Sequence, residues 1–152
     1  MDSFLAFARE AATASGIELS LAPVVDERQI NEAVAPVVRI GRGGGLVIMT
    51  DVFMTTRRVE IVQAANQHSV PAVYPYRYFT EVGGLLSYGV DDIDLFARMP
   101  TYADRILKGE SPGKLPIQAP TKFELVINLK TAKALGLTIP PTLLARADEV
   151  IE

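Results

Sequence analysis

Apolar and polar positions follow two periodicities along the chain, one typical of helices and one typical of strands, and the changes between them predict where each element lies. Residues 4–15 carry apolar side chains at helical spacing, and Gly16 follows as a common helix end. Residues 17–25 alternate between apolar and polar side chains at first, which predicts a strand. Asp26 is a suitable N-cap for a helix that runs through Val38. The predicted order at the start is therefore helix, strand, helix.

Short, continuously apolar runs then predict strands that are buried on both faces. They occupy residues 46–49, after a glycine-rich break at 41–45, and residues 72–74, and a fourth strand is predicted at 85–88. Helical patterns separate them, the last at residues 91–108. Alternating helices and buried strands predict an α/β fold, a parallel sheet with helices on both faces, of the Rossmann-like type.

The last third of the chain has a different character. Prolines punctuate residues 111–120, which reads as an extended connector. A strand is predicted at 123–127, a helix at 129–135 and a final short helix that ends at Ile151. We therefore divide the chain into an α/β domain at residues 1–110 and a connector with a C-terminal arm at residues 111–152.

Composition narrows the possible functions. Hydrophobic residues make up 49 % and charged residues 22 % of the 152, as in globular domains, and the net charge of -3 leaves no basic excess for nucleic acid. Cysteine is absent and His68 is the only histidine, so thiol, metal and triad chemistry have little to draw on, and no cofactor or metal is expected. No run reaches the about 18 apolar residues of a membrane span, and the start lacks the basic residues of a secretory signal.

Candidate ligand-binding residues follow the predicted strands, because ligands of open α/β sheets bind outside the carboxyl ends of the strands. Aromatic faces, hydroxyls and charges together suit a small polar molecule with an apolar part. Asp51 fits an N-cap of the next helix equally well, and the tyrosines fit partial burial with a satisfied hydroxyl. The candidates are Thr50, Asp51, Tyr76, Arg77, Glu81, Ser87 and Tyr88.

Three segments closely resemble the C-terminal part of a family of ABC-transporter substrate-binding proteins that includes tryptophan- and tyrosine-type binders. They are YADRILKG at residues 102–109, LPIQ at 115–118 and PTKFELVINLKTAKALGLTIPP at 120–141. Residues 74–89 are also similar to the second-lobe cleft segment of that family. The likeness covers almost the whole chain.

The resemblance implies a type I periplasmic-binding fold, in which two lobes close around a ligand and deliver it to an ABC permease. This chain matches the second lobe and the returning C-terminal segment, without the first lobe and without the first strand of the second. An amino acid is the implied ligand, and the role is binding without catalysis. The implied location is periplasmic, although the absence of a signal sequence leaves a cytoplasmic location open.

If the C-terminal arm returns toward a first lobe, its apolar side chains have no cover within this chain. Burying one such side chain contributes roughly 1.5 to 3 kcal/mol, so their exposure would be costly. We therefore expect a homodimer, formed by exchange of the arm. The affected side chains are Phe123, Leu125, Ile127, Leu135, Leu143 and Leu144.

Two other functions remain open at this point. One is a cytoplasmic regulatory or oligomerisation module that derives from such a lobe and no longer serves transport. The other is an enzyme on a flavodoxin-like sheet, for which the sequence offers no nucleophile or base in a familiar arrangement.

Overall fold

A five-stranded sheet forms the centre of the molecule. The structure is a computed structural model that describes residues 2–40 and 43–152, so Gly41 and Arg42 of the predicted glycine-rich break lie outside it. The strands are β1 (Leu46–Val47), β2 (Ala72–Tyr74), β3 (Leu86–Val90), β4 (Phe123–Asn128) and β5 (Glu149–Ile151). The helices are α1 (Asp2–Ala14), α2 (Arg28–Ile40), α3 (Val52–Thr56), α4 (Arg58–Gln67), α5 (Arg77–Glu81), α6 (Asp92–Leu107), α7 (Leu129–Ala134) and α8 (Pro141–Leu144).

The strands lie in the order β1-β2-β3-β4-β5 and are mostly parallel. β1, β2 and β3 run in one direction, β4 pairs antiparallel with β3, and β5 pairs parallel with β4. The α/β fold class predicted from the sequence is confirmed. The reversal at β4 was not predicted, and it determines which residues meet at the functional edge.

The core lies on one face of the sheet, under α2, α4 and α5. Ile30 and Val34 of α2 pack with Val62 of α4 against this face. Tyr74 of β2 and Phe79 of α5 are 1 % and 0 % exposed, and their rings stack with centroids 5.1 Å apart. Full burial of one large apolar side chain stabilises the fold by roughly 1.5–3 kcal/mol, so Phe79 anchors α5 firmly to the sheet.

The opposite face of the sheet is covered over β4, where Leu125 and Ile127 are buried, but it is open over β1 and the middle of β3. Val47 is 68 % and Tyr88 60 % exposed, and no side chain of α6 is buried. The accessible surface of the chain is 10573 Å², whereas a compact monomer of 16.5 kDa has about 7,600 Å². The molecule therefore presents far more surface than its mass requires.

Two expectations about the first half are wrong. Residues 17–25 form no strand, and Ile17 and Val25 are 62 % and 81 % exposed. An alternating pattern yields a strand only when a neighbour supplies ladder hydrogen bonds, and no described strand pairs with this segment. β1 was expected to be buried on both faces, but it is an edge strand with β2 as its partner, which leaves Val47 exposed.

The C-terminal segment also differs from expectation, because it packs on the sheet of its own chain. Five residue pairs join β4 to β3, and Leu125 and Ile127 are 9 % and 0 % exposed, so the predicted exposure of these side chains is wrong. Leu135, Leu143 and Leu144 are half-buried, and Phe123 is 49 % exposed. The arm therefore has cover without an exchange between chains.

The final helix is shorter than predicted. It ends at Leu144, and Glu149–Ile151 form β5 instead of continuing it. Asp148 accounts for the change: its amide donates to the carbonyl of Leu125 at 2.9 Å, and its carboxylate accepts from the amide of Leu125 at 2.8 Å. These two bonds align the last residues with β4. Their backbone groups can then form hydrogen bonds with those of β4.

Candidate functional site

Polar side chains from four elements meet at one edge of the sheet. β2 and β3 are parallel, so their carboxyl ends share this edge. β4 is antiparallel to β3, and Glu124 at its amino end pairs with Gly89. β5 is parallel to β4, so Glu149 at its amino end lies at the same edge. The strand reversal thus adds two acidic residues to the edge where α/β sheets bind ligands.

A cavity of about 450 Å³ opens at this edge, within the size range of small-molecule sites. Tyr76, Arg77 and Glu81, three of the residues predicted from the sequence, line it together. The remaining lining residues are Tyr78, Val90, Asp91, Asp92, Ile93 and Glu124.

Two tyrosines form the aromatic wall of the cavity. Tyr76 has an extended backbone and directly precedes α5, and Tyr78 lies in the first turn. Their rings stack at a centroid distance of 5.1 Å with an interplanar angle of 25°. The guanidinium of Arg58, a residue of α4, lies 5.8 Å from the centre of the Tyr78 ring. Phe79, which is fully buried, holds the short helix that carries this wall.

The lining of the cavity is acidic. Glu81, Asp91, Asp92 and Glu124 face a single cation among the lining residues, Arg77. Asp91 caps α6 and pairs with Lys122 at 2.7 Å, which holds the pKa of Asp91 below its ordinary value. The excess negative charge therefore rests on the other carboxylates.

Asp92 and Glu124 are the two lining carboxylates whose charged form burial disfavours, and Glu124 shares its counter-charge, Arg77, with Glu81 and Glu149. Burial raises the pKa of Asp92, and the neighbouring charge of Asp91 raises it further. Burial also raises the pKa of Glu124, although the guanidinium of Arg77 opposes the shift. A carboxylate whose pKa is raised by burial and like charge gains from an incoming cation. The cavity is therefore suited to a ligand with a positive group.

Gly89 and Pro75 make a close backbone contact next to the cavity. A Cβ atom at Gly89 would lie 1.8 Å from the carbonyl oxygen of Pro75. Real side chains never approach backbone that closely, so glycine is required here for β3 to pass the chain that leads into Tyr76.

The other predicted residues do not line the cavity. Thr50 is exposed, and Asp51 caps α3 by accepting from the amides of Phe53 and Met54 at 2.7 and 3.4 Å, as its alternative reading predicted. Ser87 is 1 % exposed within the sheet. Tyr88 projects outward and stacks on Phe123 at 6.1 Å.

Sequence reasoning missed Tyr78, Asp92 and Glu124 as site residues. Tyr78 follows Tyr76 by two residues, and that spacing was a usable signal of one aromatic wall. Asp91 and Asp92 open the helix predicted at residues 91–108, and acids at a helix start are typical of a cap, so Asp92 gave no separate signal of a ligand site. Glu124 carried no signal, because the chain pattern does not reveal that β4 runs antiparallel to β3.

A second cavity of about 370 Å³ lies between α6 and the connector, where the Tyr102 hydroxyl donates to the carbonyl of Pro116 at 2.6 Å. Its charged lining residues are paired, Asp91 with Lys122 and Asp94 with Arg98.

In residues 2–40 and 43–152, no three His, Asp or Glu side chains are grouped to hold a metal ion. None of the helices described is long and apolar enough to cross a membrane.

Comparison with known proteins identifies the family. The model of the ABC transporter substrate binding protein family matches residues 4–151, and the chain belongs to this family. A tyrosine-binding protein of Clostridioides difficile is 26 % identical over 109 residues, which are 72 % of this chain and 31 % of that protein.

Two solved structures share the fold. A conserved domain protein of Vibrio cholerae has a TM-score of 0.86 at 27 % identity and covers 97 % of this chain and 49 % of its own. An ABC domain in complex with L-Trp from Streptococcus pneumonia has a TM-score of 0.84 at 24 % identity, over 99 % of this chain and 50 % of its own. The chain thus spans about half the length of these structures and about a third of the curated relative.

Proposed function

We propose that this chain forms one wall of an amino-acid binding cleft and acts without catalysis. The acidic cavity with its aromatic wall is the observation that carries the proposal. In this arrangement the ligand ammonium lies against Asp92 and Glu124, and an aromatic side chain stacks on Tyr76 and Tyr78. Relatives described as a tyrosine-binding protein and as a complex with L-Trp support this ligand class.

The other residues predicted from the sequence lie outside the cavity lining and have lesser roles in this proposal. Thr50 and Asp51 are exposed after β1 and Tyr88 is exposed in the middle of β3, and all three are proposed rim contacts. Ser87 supports the sheet, because its side chain has no access to solvent.

We further propose that the cleft is completed by a first lobe and serves uptake through an ABC permease outside the cytoplasm. Family membership supports this role. The open edge of β1 and the exposed alternating segment 17–25 support a missing strand between them, as inferred from the sequence.

The test is isothermal titration calorimetry with L-tryptophan and L-tyrosine, and with indole-3-propionate, which lacks the ammonium group. The amino acids are expected to bind and the propionate is not. Asp92→Asn should weaken binding, whereas the control Asp104→Asn, an exposed residue paired with Lys108, should not. The proposal is refuted if no amino acid produces binding heat and none produces a thermal shift.

Ligand affinity is expected to fall as the solution is acidified. The pKa values of Asp92 and Glu124 are raised, so both carboxyls become neutral at a higher pH than ordinary carboxyls, while the ligand ammonium stays charged. Their attraction for the ammonium is present above the raised pKa values and is lost as the pH falls through them. Titrations from about pH 7 to about pH 4 should show this decline, and Asp92→Asn should flatten it. An affinity that rises toward acid pH would contradict the assignment.

We also propose that the chain forms a homodimer through the exposed sheet face around Val47 and Tyr88 instead of through an exchanged arm. The surface beyond that of a compact monomer is roughly 3,000 Å² per chain, which exceeds the roughly 1,000–2,500 Å² that each partner buries in an obligate dimer and so leaves room for such an interface. Sedimentation at micromolar concentration should give twice the mass of 16.5 kDa, and a lone monomer would refute the dimer.

A further inference from the structure

Arg77 holds three acidic residues from three different elements. Its Nε donates to Glu81 of its own helix at 3.0 Å, Nη1 to Glu124 of β4 at 3.3 Å, and Nη2 to Glu149 of β5 at 2.5 Å. The last two partners lie 47 and 72 positions away in sequence. All three nitrogens of the guanidinium therefore donate to carboxylates of the protein itself, although Arg77 lines the cavity.

The other end of the α5 segment is fastened to the same part of the chain. Asn128, the last residue of β4, donates from its side-chain amide to the carbonyl of Thr80 at 3.2 Å. Thr131 of α7 donates from its hydroxyl to the carbonyl of Gly83 at 2.9 Å. Hydrogen bonds and ion pairs thus join the segment that carries the aromatic wall to β4, α7 and β5. These three elements make up the C-terminal arm in the structure.

We propose that Arg77 is a positioning residue that locks the C-terminal arm against the aromatic wall, so that arm docking and ligand binding reinforce each other. The ligand half of this inference rests on the proposed function. If the ligand binds only the wall in its docked position, then binding protects the arm by the same factor by which docking raises the affinity. Arg77 then acts on the ligand through Tyr76 and Tyr78, without touching it.

The chemistry of the cluster favours arginine over lysine at this position. The planar guanidinium carries five donors in a fixed fork and reaches three carboxylates at once, whereas an ammonium is a point charge. Single exposed ion pairs contribute little, but here the pairs share one cation, and the side chain of Glu124 is only 12 % exposed. Removing Arg77 leaves this carboxylate without its partner and removes the link between β4, β5 and α5.

Hydrogen exchange of the arm amides, measured without ligand, tests the lock itself. Arg77→Met is expected to speed exchange of the amides of Asp148 and Val150 about tenfold, and Arg77→Lys less, because tenfold corresponds to about 1.4 kcal/mol of local opening. Glu149→Gln, which removes the negative charge of one partner but keeps an oxygen that can accept from Arg77, should give an intermediate effect and serves if Arg77→Met does not fold. The matched control Arg98→Lys, whose single partner is Asp94, should leave these amides unchanged.

Ligand titration separates positioning from direct contact. Positioning predicts that Arg77→Met and Glu149→Gln both weaken L-tryptophan binding, and that L-tryptophan slows arm exchange in the unsubstituted chain. Unchanged arm exchange in Arg77→Met would overturn the lock, and so would an affinity lost in Arg77→Met but kept in Glu149→Gln, which assigns a direct contact. If the unsubstituted chain binds no amino acid, the proposed function fails, and arm exchange still decides the lock.

Discussion

Gly89→Ala is expected to destabilise the folded chain by about 3 kcal/mol or more, the largest effect expected for alanine at any glycine that the structure describes. The new Cβ would lie 1.8 Å from the carbonyl oxygen of Pro75. That oxygen belongs to the backbone between β2 and Tyr76, so it cannot rotate away as a flexible side chain would. Either β3 separates from β2, or the aromatic wall moves with Pro75.

Thermal unfolding followed by circular dichroism measures this effect. Gly113→Ala is the matched control, because a Cβ there meets nothing within 4 Å and its backbone does not need glycine. The control should unfold with the unsubstituted chain. Equal melting temperatures for the Gly89 and Gly113 variants would show that the contact between β3 and Pro75 is looser than described.

Ile127→Ala is expected to lower the free energy of unfolding by about 2–5 kcal/mol, as deletion of a fully buried aliphatic side chain does. Ile127 is 0 % exposed and pairs with Leu86 of β3, so its removal leaves a cavity where β4 joins the sheet. Ile117→Ala makes the same chemical change at a fully exposed side chain of the connector and should lie within about 0.5 kcal/mol of the parent.

Urea unfolding of the two isoleucine variants compares them directly. A large difference supports a C-terminal arm that is part of the core of its own chain. Similar stabilities would instead restore the interpretation, drawn from the sequence alone, that the arm needs cover from elsewhere.

The sequence predicted the elements whose pattern arises locally. The apolar run that became β2 and the helical spacing of α4 and α6 required no information beyond neighbouring residues. Residues 17–25 failed for the opposite reason, since their alternation makes a strand only beside a partner, and no described strand pairs with them. β5 was misread as helix because its three residues depend on the backbone of β4.

The candidate site shows the same limit at the level of side chains. Tyr76, Arg77 and Glu81 lie within one short segment after β2, and their grouping follows from the rule that strand ends carry the ligand site. Glu124 and Glu149 reach the same edge only because β4 reverses direction, which no local pattern encodes. The sequence predicted Arg77 as a ligand-binding residue, whereas in the structure its charge meets three carboxylates.

The acidic, aromatic cavity is the centre of this account, and an NMR titration of the isotopically labelled chain with L-tryptophan tests it most directly. We expect backbone amide shifts confined to residues 76–78, 81, 90–93 and 124, which line the cavity. Shifts concentrated instead in residues 98–102 and 115–118, around the second cavity, or no shifts at millimolar ligand, would contradict it.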